Sequence, residues 1–97
     1  MQTVIMVARI RVRAGTERRF ESVFAGRRHR AHTQEPGTLR YDLFGETADP
    51  LVYTVIEEFV DAAAAQAHLD ASIDHEELMA CFDGTPEVHT LFPISER

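Results

Sequence analysis

The sequence predicts an α+β fold, a four-stranded antiparallel sheet with its helices packed on one face. Three observations carry this expectation. Apolar residues alternate with a period of two in the stretches that begin at Val4 and at Thr38. They recur at helical spacing in two others, and the order along the 97 residues is strand, helix, strand, strand, broken helix, strand. Residues 2–46 and 51–93 then form two strand-helix-strand units within one domain spanning residues 1–97.

In the first strand Val4, Met6, Ala8, Ile10 and Val12 alternate with Ile5, Val7, Arg9, Arg11 and Arg13, so one face is apolar throughout and the other turns to arginine. Gly15 and Thr16 supply a turn and a candidate N-cap, with Glu17 where the helix dipole favours a negative charge. Phe20, Val23, Phe24 and Ala31 keep helical spacing to about Gln34. Pro36-Gly37 should stop that helix, the proline by removing a donor and the glycine by freeing the backbone to turn.

From Thr38 the period returns to two, with Leu39, Tyr41 and Leu43 on one face and Arg40, Asp42 and Phe44 on the other. A turn at 47–50 leads into residues 51–59, rich in Val, Ile, Tyr and Thr, which suit a pleated surface and pair as a hairpin. Asp61 can cap an alanine-rich helix over 62–69. After a break, Asp74 with Glu77 makes a loose capping box for a short helix reaching Phe82, and residues 88–92 form the last strand. This is the split βαβ, ferredoxin-like arrangement. Its uncovered sheet face would carry Ile5, Val7, Phe44 and apolar residues of the third strand, so a homodimer packed sheet to sheet is expected.

Composition narrows the function. Hydrophobic residues at 44% and charged residues at 27% disfavour a disordered chain, a collagen-like chain and a disulfide scaffold. The lone Cys81 can make neither an internal disulfide nor a cysteine-based zinc site. A net charge of −6 argues against nucleic-acid binding. The charge is split, with nine arginines against three acids in residues 1–40 and one arginine against thirteen acids in residues 41–97, so the halves should attract. Nothing resembles a membrane span or a signal peptide, so no membrane partner and a cytoplasmic location are expected.

No GxGxxG, P-loop, GxSxG, HExxH or CxxC pattern occurs, which leaves inward-facing histidines and polar groups as the candidates. Ala65, His68 and Leu69 share one helix stripe, and His75, Leu78, Met79 and Phe82 share the next. Imidazoles at the mouth of an apolar cavity can move a proton to or from a phenol or enol. Arg27 stands in the Phe20–Phe24 stripe where an apolar residue is expected, and either points into a cavity or snorkels to water. Tyr41 either holds a substrate oxygen or packs with its hydroxyl at a rim. One of Glu57 and Glu58 must lean toward an interior face, with Arg9 or Arg11 as the simplest partner. His68 and His75 specify no third ligand, so no metal site is expected.

Several stretches carry a resemblance: Val7-Ala8-Arg9-Ile10-Arg11-Val12-Arg13-Ala14-Gly15, Glu35-Pro36-Gly37-Thr38-Leu39-Arg40-Tyr41-Asp42-Leu43, Glu57-Glu58-Phe59-Val60-Asp61 and Ala67-His68-Leu69. Together they resemble the antibiotic biosynthesis monooxygenase family over roughly residues 3–94. The resemblance implies a dimeric ferredoxin-like α/β barrel with a small hydrophobic cavity in each subunit. Some members oxidise quinols or anthrone-type polyketides with O2 and no cofactor; others degrade haem, isomerise or have no known reaction. By position, His68 matches the family's helix histidine, Glu57 its strand glutamate and Tyr41 its strand tyrosine. Phe59 stands where many members have Trp. The chain has no Asn, whereas the best-known oxygenases place an Asn and a Trp around the substrate. Ala8 and Ala80 stand where the haem-degrading branch has an Asn and a His.

The expected function is therefore cofactor-independent oxidation of an electron-rich aromatic, a quinol or anthrone-type polyketide, by O2. His68 or His75 would accept the proton, Tyr41 with Arg27 would hold the developing oxyanion, and Glu57, Phe24, Phe59 and Phe82 would contact the substrate. Two alternatives stay open: a non-catalytic module that binds a hydrophobic metabolite, and a cofactor-free isomerase or cyclase whose arginines grip an anion.

Overall fold

The computed structural model describes residues 2–71 and 74–94. Its strands are β1 (Val4–Arg11), β2 (Thr38–Gly45), β3 (Val52–Phe59) and β4 (Glu87–Leu91), and its helices α1 (Glu17–Gln34), α2 (Ala62–Asp70) and α3 (His75–Met79). The strands make one antiparallel sheet in the order β2-β3-β1-β4, the split βαβ topology. Side chains alternate across a pleated strand, so Ala8, Ile10 and Val12 turn to the helices and are buried, while Arg9 and Arg11 turn away and stay exposed.

Helix α1 buries Phe20, Phe24, Arg27 and Ala31, a stripe at successive turns. Phe20 lies 4.8 Å from Tyr53 and Phe24 stacks on Tyr41 at 4.5 Å between ring centroids. Each fully buried ring is worth roughly 2–3 kcal/mol, which fixes the helix on the sheet. Asp61 caps α2 as expected, accepting the Ala64 N–H at 2.8 Å. The break between α2 and α3 falls on Ser72 and Ile73, outside the described residues. Among the described residues no helix is long and apolar enough to cross a membrane.

Several expectations change. Leu39 does not share the inner face with Tyr41 and Leu43: the pairing shifts between Thr38 and Arg40, and Leu39 is 53% exposed. The β-bulge sets two residues of β2 against one of β3, which carries Leu39 out of phase. Gly37 is not required for a left-handed turn, since among the described residues only Gly15 and Gly84 have positive φ. A Cβ at Gly37 would instead stand 2.6 Å from the Ala64 Cβ, so this glycine lets α2 approach the start of β2.

Thr16 makes no side-chain cap; its hydroxyl donates to the Arg13 carbonyl, and the Gly15 N–H is accepted by Glu17 at 2.6 Å. Helix α3 ends at Met79 rather than Phe82, and Phe82 instead forms an isolated bridge with Val12. Arg9 and Arg11 pair with Glu46 and Asp49, each at 2.8 Å, instead of with Glu57 or Glu58. The hairpin carries those acids over β1, whereas Glu57 lies on the opposite face. The face away from the helices is mixed: Ile5, Val7, Phe44 and Ile56 form an apolar strip flanked by Arg9, Arg40, Asp42 and Glu58.

Candidate active site

Helices and sheet bound a half-open hollow of about 450 Å³. Its floor is Met6, Ala8 and Ile10 of β1 with Val55 of β3, and its roof includes Phe24 of α1 and Leu78 of α3. Because Met6, Glu57 and Tyr41 are paired across adjacent strands, they form one row across the sheet, and this row is where the apolar floor turns polar.

His68 projects from α2 and is 1% exposed. Its Nδ1 lies 2.6 Å from Glu35 Oε1, and its Nε2 lies 3.3 Å from Glu57 Oε1. Glu35 follows α1 directly, and Arg30 approaches its other oxygen at 3.7 Å. Burial alone would depress the His68 pKa, but hydrogen bonds to Glu57 and Glu35 and the charges of both hold it above the ordinary 6.5. The two acidic neighbours thus favour the charged form of the ring over the neutral one.

Beside it, Arg27 is 5% exposed and does not snorkel. Its Nε donates to the Tyr41 hydroxyl oxygen at 3.0 Å and its Nη1 to Asp74 Oδ1 at 2.8 Å. Burial opposes the Arg27 charge, but Tyr41 and Asp74 outweigh it and raise the pKa. For Tyr41, burial leads and Glu57 and Asp74 add to it, keeping the pKa above 10 against the pull of Arg27. The phenol therefore stays protonated, and with Arg27 occupying one lone pair its O–H can donate to a ligand oxygen. The Tyr41 ring meets the His68 ring edge-on at 4.7 Å, which joins the two polar groups.

Of the residues expected from sequence, the hollow brings together His68, Tyr41, Arg27 and Glu57, with Phe24 and Phe82 on its wall and His75 at an exposed position of its lining. Phe59 is not on the wall. It is 1% exposed at the end of β3 and packs behind His68, 5.3 Å between centroids, so it supports the imidazole and is not open to a ligand there. Sequence reasoning missed Glu35 and Asp74. Asp74 read as a helix cap, yet it makes no side-chain cap bond and serves Arg27. Glu35 follows a helix with no periodic signal, and only its place beside Pro36-Gly37 marks it. Among the described residues no group of three or more His, Cys, Asp or Glu side chains could hold a metal ion.

The model of the antibiotic biosynthesis monooxygenase family matches residues 3–76. The chain belongs to this family. Solved structures agree on the fold. SnoaB from Streptomyces nogalater, described as a cofactor-independent oxygenase and solved as its N63A mutant, is 26% identical with a TM-score of 0.81, covering 97% of this chain and 95% of its own. A candidate antibiotic biosynthesis monooxygenase from Caulobacter crescentus CB15 is 23% identical with a TM-score of 0.85, over 96% and 91% of the two chains. A protein from Shewanella oneidensis is 23% identical with a TM-score of 0.84, over 95% and 91%. No curated protein matches the chain in sequence. Within this antibiotic biosynthesis monooxygenase domain, Ala8 sits on the floor of the hollow and Ala80 is exposed, so neither small side chain offers a polar group to a ligand.

Proposed function

We propose that this chain, as one domain, is a cofactor-independent monooxygenase that oxidises an electron-rich aromatic, a quinol or anthrone-type polyketide, with O2. The observation that carries the reading is the hollow itself: an apolar space of about 450 Å³ with one polar edge, where Glu57, His68 and Tyr41 meet. Its volume lies within the range of small-molecule sites. Apolar walls exclude water and bury the rings.

The proton acceptor in this reading is the Glu57 carboxylate. In this reading His68 works as an imidazolium, which has no lone pair for a second proton, and lies beside Glu57 while Glu35 holds the ring in place. The Tyr41 hydroxyl, backed by Arg27, donates to the substrate oxygen as negative charge builds on it. For an anthrone, removal of a C–H proton gives a carbanion that supplies electrons to O2. A carbon–oxygen bond forms, the peroxide loses water as its O–O bond breaks, and the methylene becomes a carbonyl. One oxygen atom enters the product and the other leaves as water, which balances four electrons. SnoaB, described as a cofactor-independent oxygenase, supports this reading.

The active form in this proposal is a homodimer closed through the strip of Ile5, Val7, Phe44 and Ile56. Oxygen uptake with an anthrone or a quinol tests the catalytic reading. Uptake by the native protein that is lost in Glu57→Gln and in His68→Ala supports it, while undiminished uptake in both variants overturns the roles. Ligand binding with no turnover would favour the binding module, and turnover without oxygen the isomerase.

A further inference from the structure

The hollow does not end at His75. A second opening of about 510 Å³ lies beyond it, between α3, the turn before β4 and the end of β1. The two spaces share His75, Phe82, Pro86 and Val88, so a ligand too long for the first passes along these side chains into the second. The outer space has apolar walls and one cation at its edge, Arg13.

Arg13 lies two residues past the end of β1 and differs from the two arginines before it. Arg9 and Arg11 are neutralised by Glu46 and Asp49. Arg13 donates its Nε to the Phe82 carbonyl at 3.1 Å, and among the described residues it has no carboxylate partner. The segment is also pinned: the Arg13 N–H donates to the Cys81 carbonyl and the Asp83 N–H to the Arg11 carbonyl, both at 2.8 Å. The Nε bond leaves the terminal nitrogens for an incoming acceptor. Two parallel N–H donors match the two oxygens of a carboxylate. Thr85, on the same lining, adds a hydroxyl donor.

We infer that the outer space is a subsite for a carboxylate arm of the substrate, bound by Arg13, with the aromatic body seated in the inner hollow. This rests on the reading that the inner hollow takes an aromatic. The substrate class becomes an aromatic acid, and Arg13 selects it against neutral aromatics of the same size.

Calorimetric titration with a hydroxynaphthalene bearing a propionate arm, and with its neutral methyl ester, tests this at low salt. The native protein should bind the acid about tenfold more tightly, equivalent to about 1.4 kcal/mol. Arg13→Gln should erase the preference and leave ester binding unchanged, while Arg13→Lys should keep part of it. Thr85→Asp, which leaves the Arg13–Phe82 bond in place, should reverse it. Equal binding of acid and ester by the native protein, or a preference that survives Arg13→Gln, overturns the subsite and leaves the inner hollow standing. Failure of both ligands to bind overturns the aromatic reading and the subsite with it.

Discussion

Replacing Gly37 by Ala tests how tightly the fold positions the candidate site. The new Cβ would stand 2.6 Å from the Ala64 Cβ and 3.4 Å from Val60 Cγ2. Carbon atoms prefer about 3.5–4.0 Å, so α2 must move by about 1 Å. Such overpacking costs roughly 1–3 kcal/mol. The backbone at Gly37 does not need positive φ, so alanine gains about 0.4–1 kcal/mol from the stiffer unfolded chain. The net loss is about 1–2 kcal/mol, which lowers the melting temperature by roughly 4–16 °C in a domain of this size. Because α2 carries His68, the same displacement breaks the 3.3 Å approach to Glu57, and misplacement on that scale can cost about 100-fold in turnover. Ala64→Gly alone loses about 1 kcal/mol of helix propensity. In the double variant the clash is gone, since the nearest remaining atoms to the added methyl are Val60 Cγ2 at 3.4 Å and the Cα of residue 64 at 3.7 Å. It should be more stable than the two single effects predict by about 1–2 kcal/mol and should recover turnover. Thermal melts followed by circular dichroism, with oxygen uptake beside them, measure both. An unchanged melting temperature in Gly37→Ala, or strictly additive losses, would refute the argument.

Three further outcomes are expected. The folded state holds the His68 proton more tightly than the unfolded chain, so this stabilisation is complete below about pH 6.5 and is lost as pH rises through the higher folded pKa; melts across that window should show a downward slope that His68→Gln removes. Arg27→Met takes a charged donor from Tyr41 and Asp74, and should cost about 2 kcal/mol in denaturant unfolding and about 100-fold in turnover. Arg27→Lys should restore little of either, because an ammonium lacks the fixed fork that serves both acceptors. Ile56→Glu puts a charge in the apolar strip of the open face and should convert a dimer to an 11.0 kDa monomer in light scattering; a native chain that already runs as a monomer would remove the sheet-to-sheet interface.

Periodicity was enough to read what depends on local pattern. The alternation from Val4 onward marks β1, and the Phe20–Phe24–Arg27–Ala31 spacing marks both the buried face of α1 and the odd arginine within it. What was not legible depends on contacts made far along the chain. Nothing near Asp74 says that its carboxylate will meet Arg27, and a capping pattern is the natural local reading. Leu39 obeys the strand period, but a bulge decided by pairing with β3 turns it out. Gly37 beside a proline reads as a turn residue, and its tighter constraint is visible only once Ala64 lies against it. The inward position of His68 was legible from its helix stripe, but that Glu35 and Glu57 would flank it was not.

The polar edge of the hollow is assembled across long stretches of sequence: Glu35 and His68 are 33 residues apart, and Arg27 and Asp74 are 47 apart. Neither half of the molecule contains it. During refolding α1 and α2 can form from short-range contacts, whereas these pairs must wait for the halves to close on one another. Under the proposed function, recovery of oxygen uptake should consequently trail recovery of helicity and so serve as a clock for the final docking event.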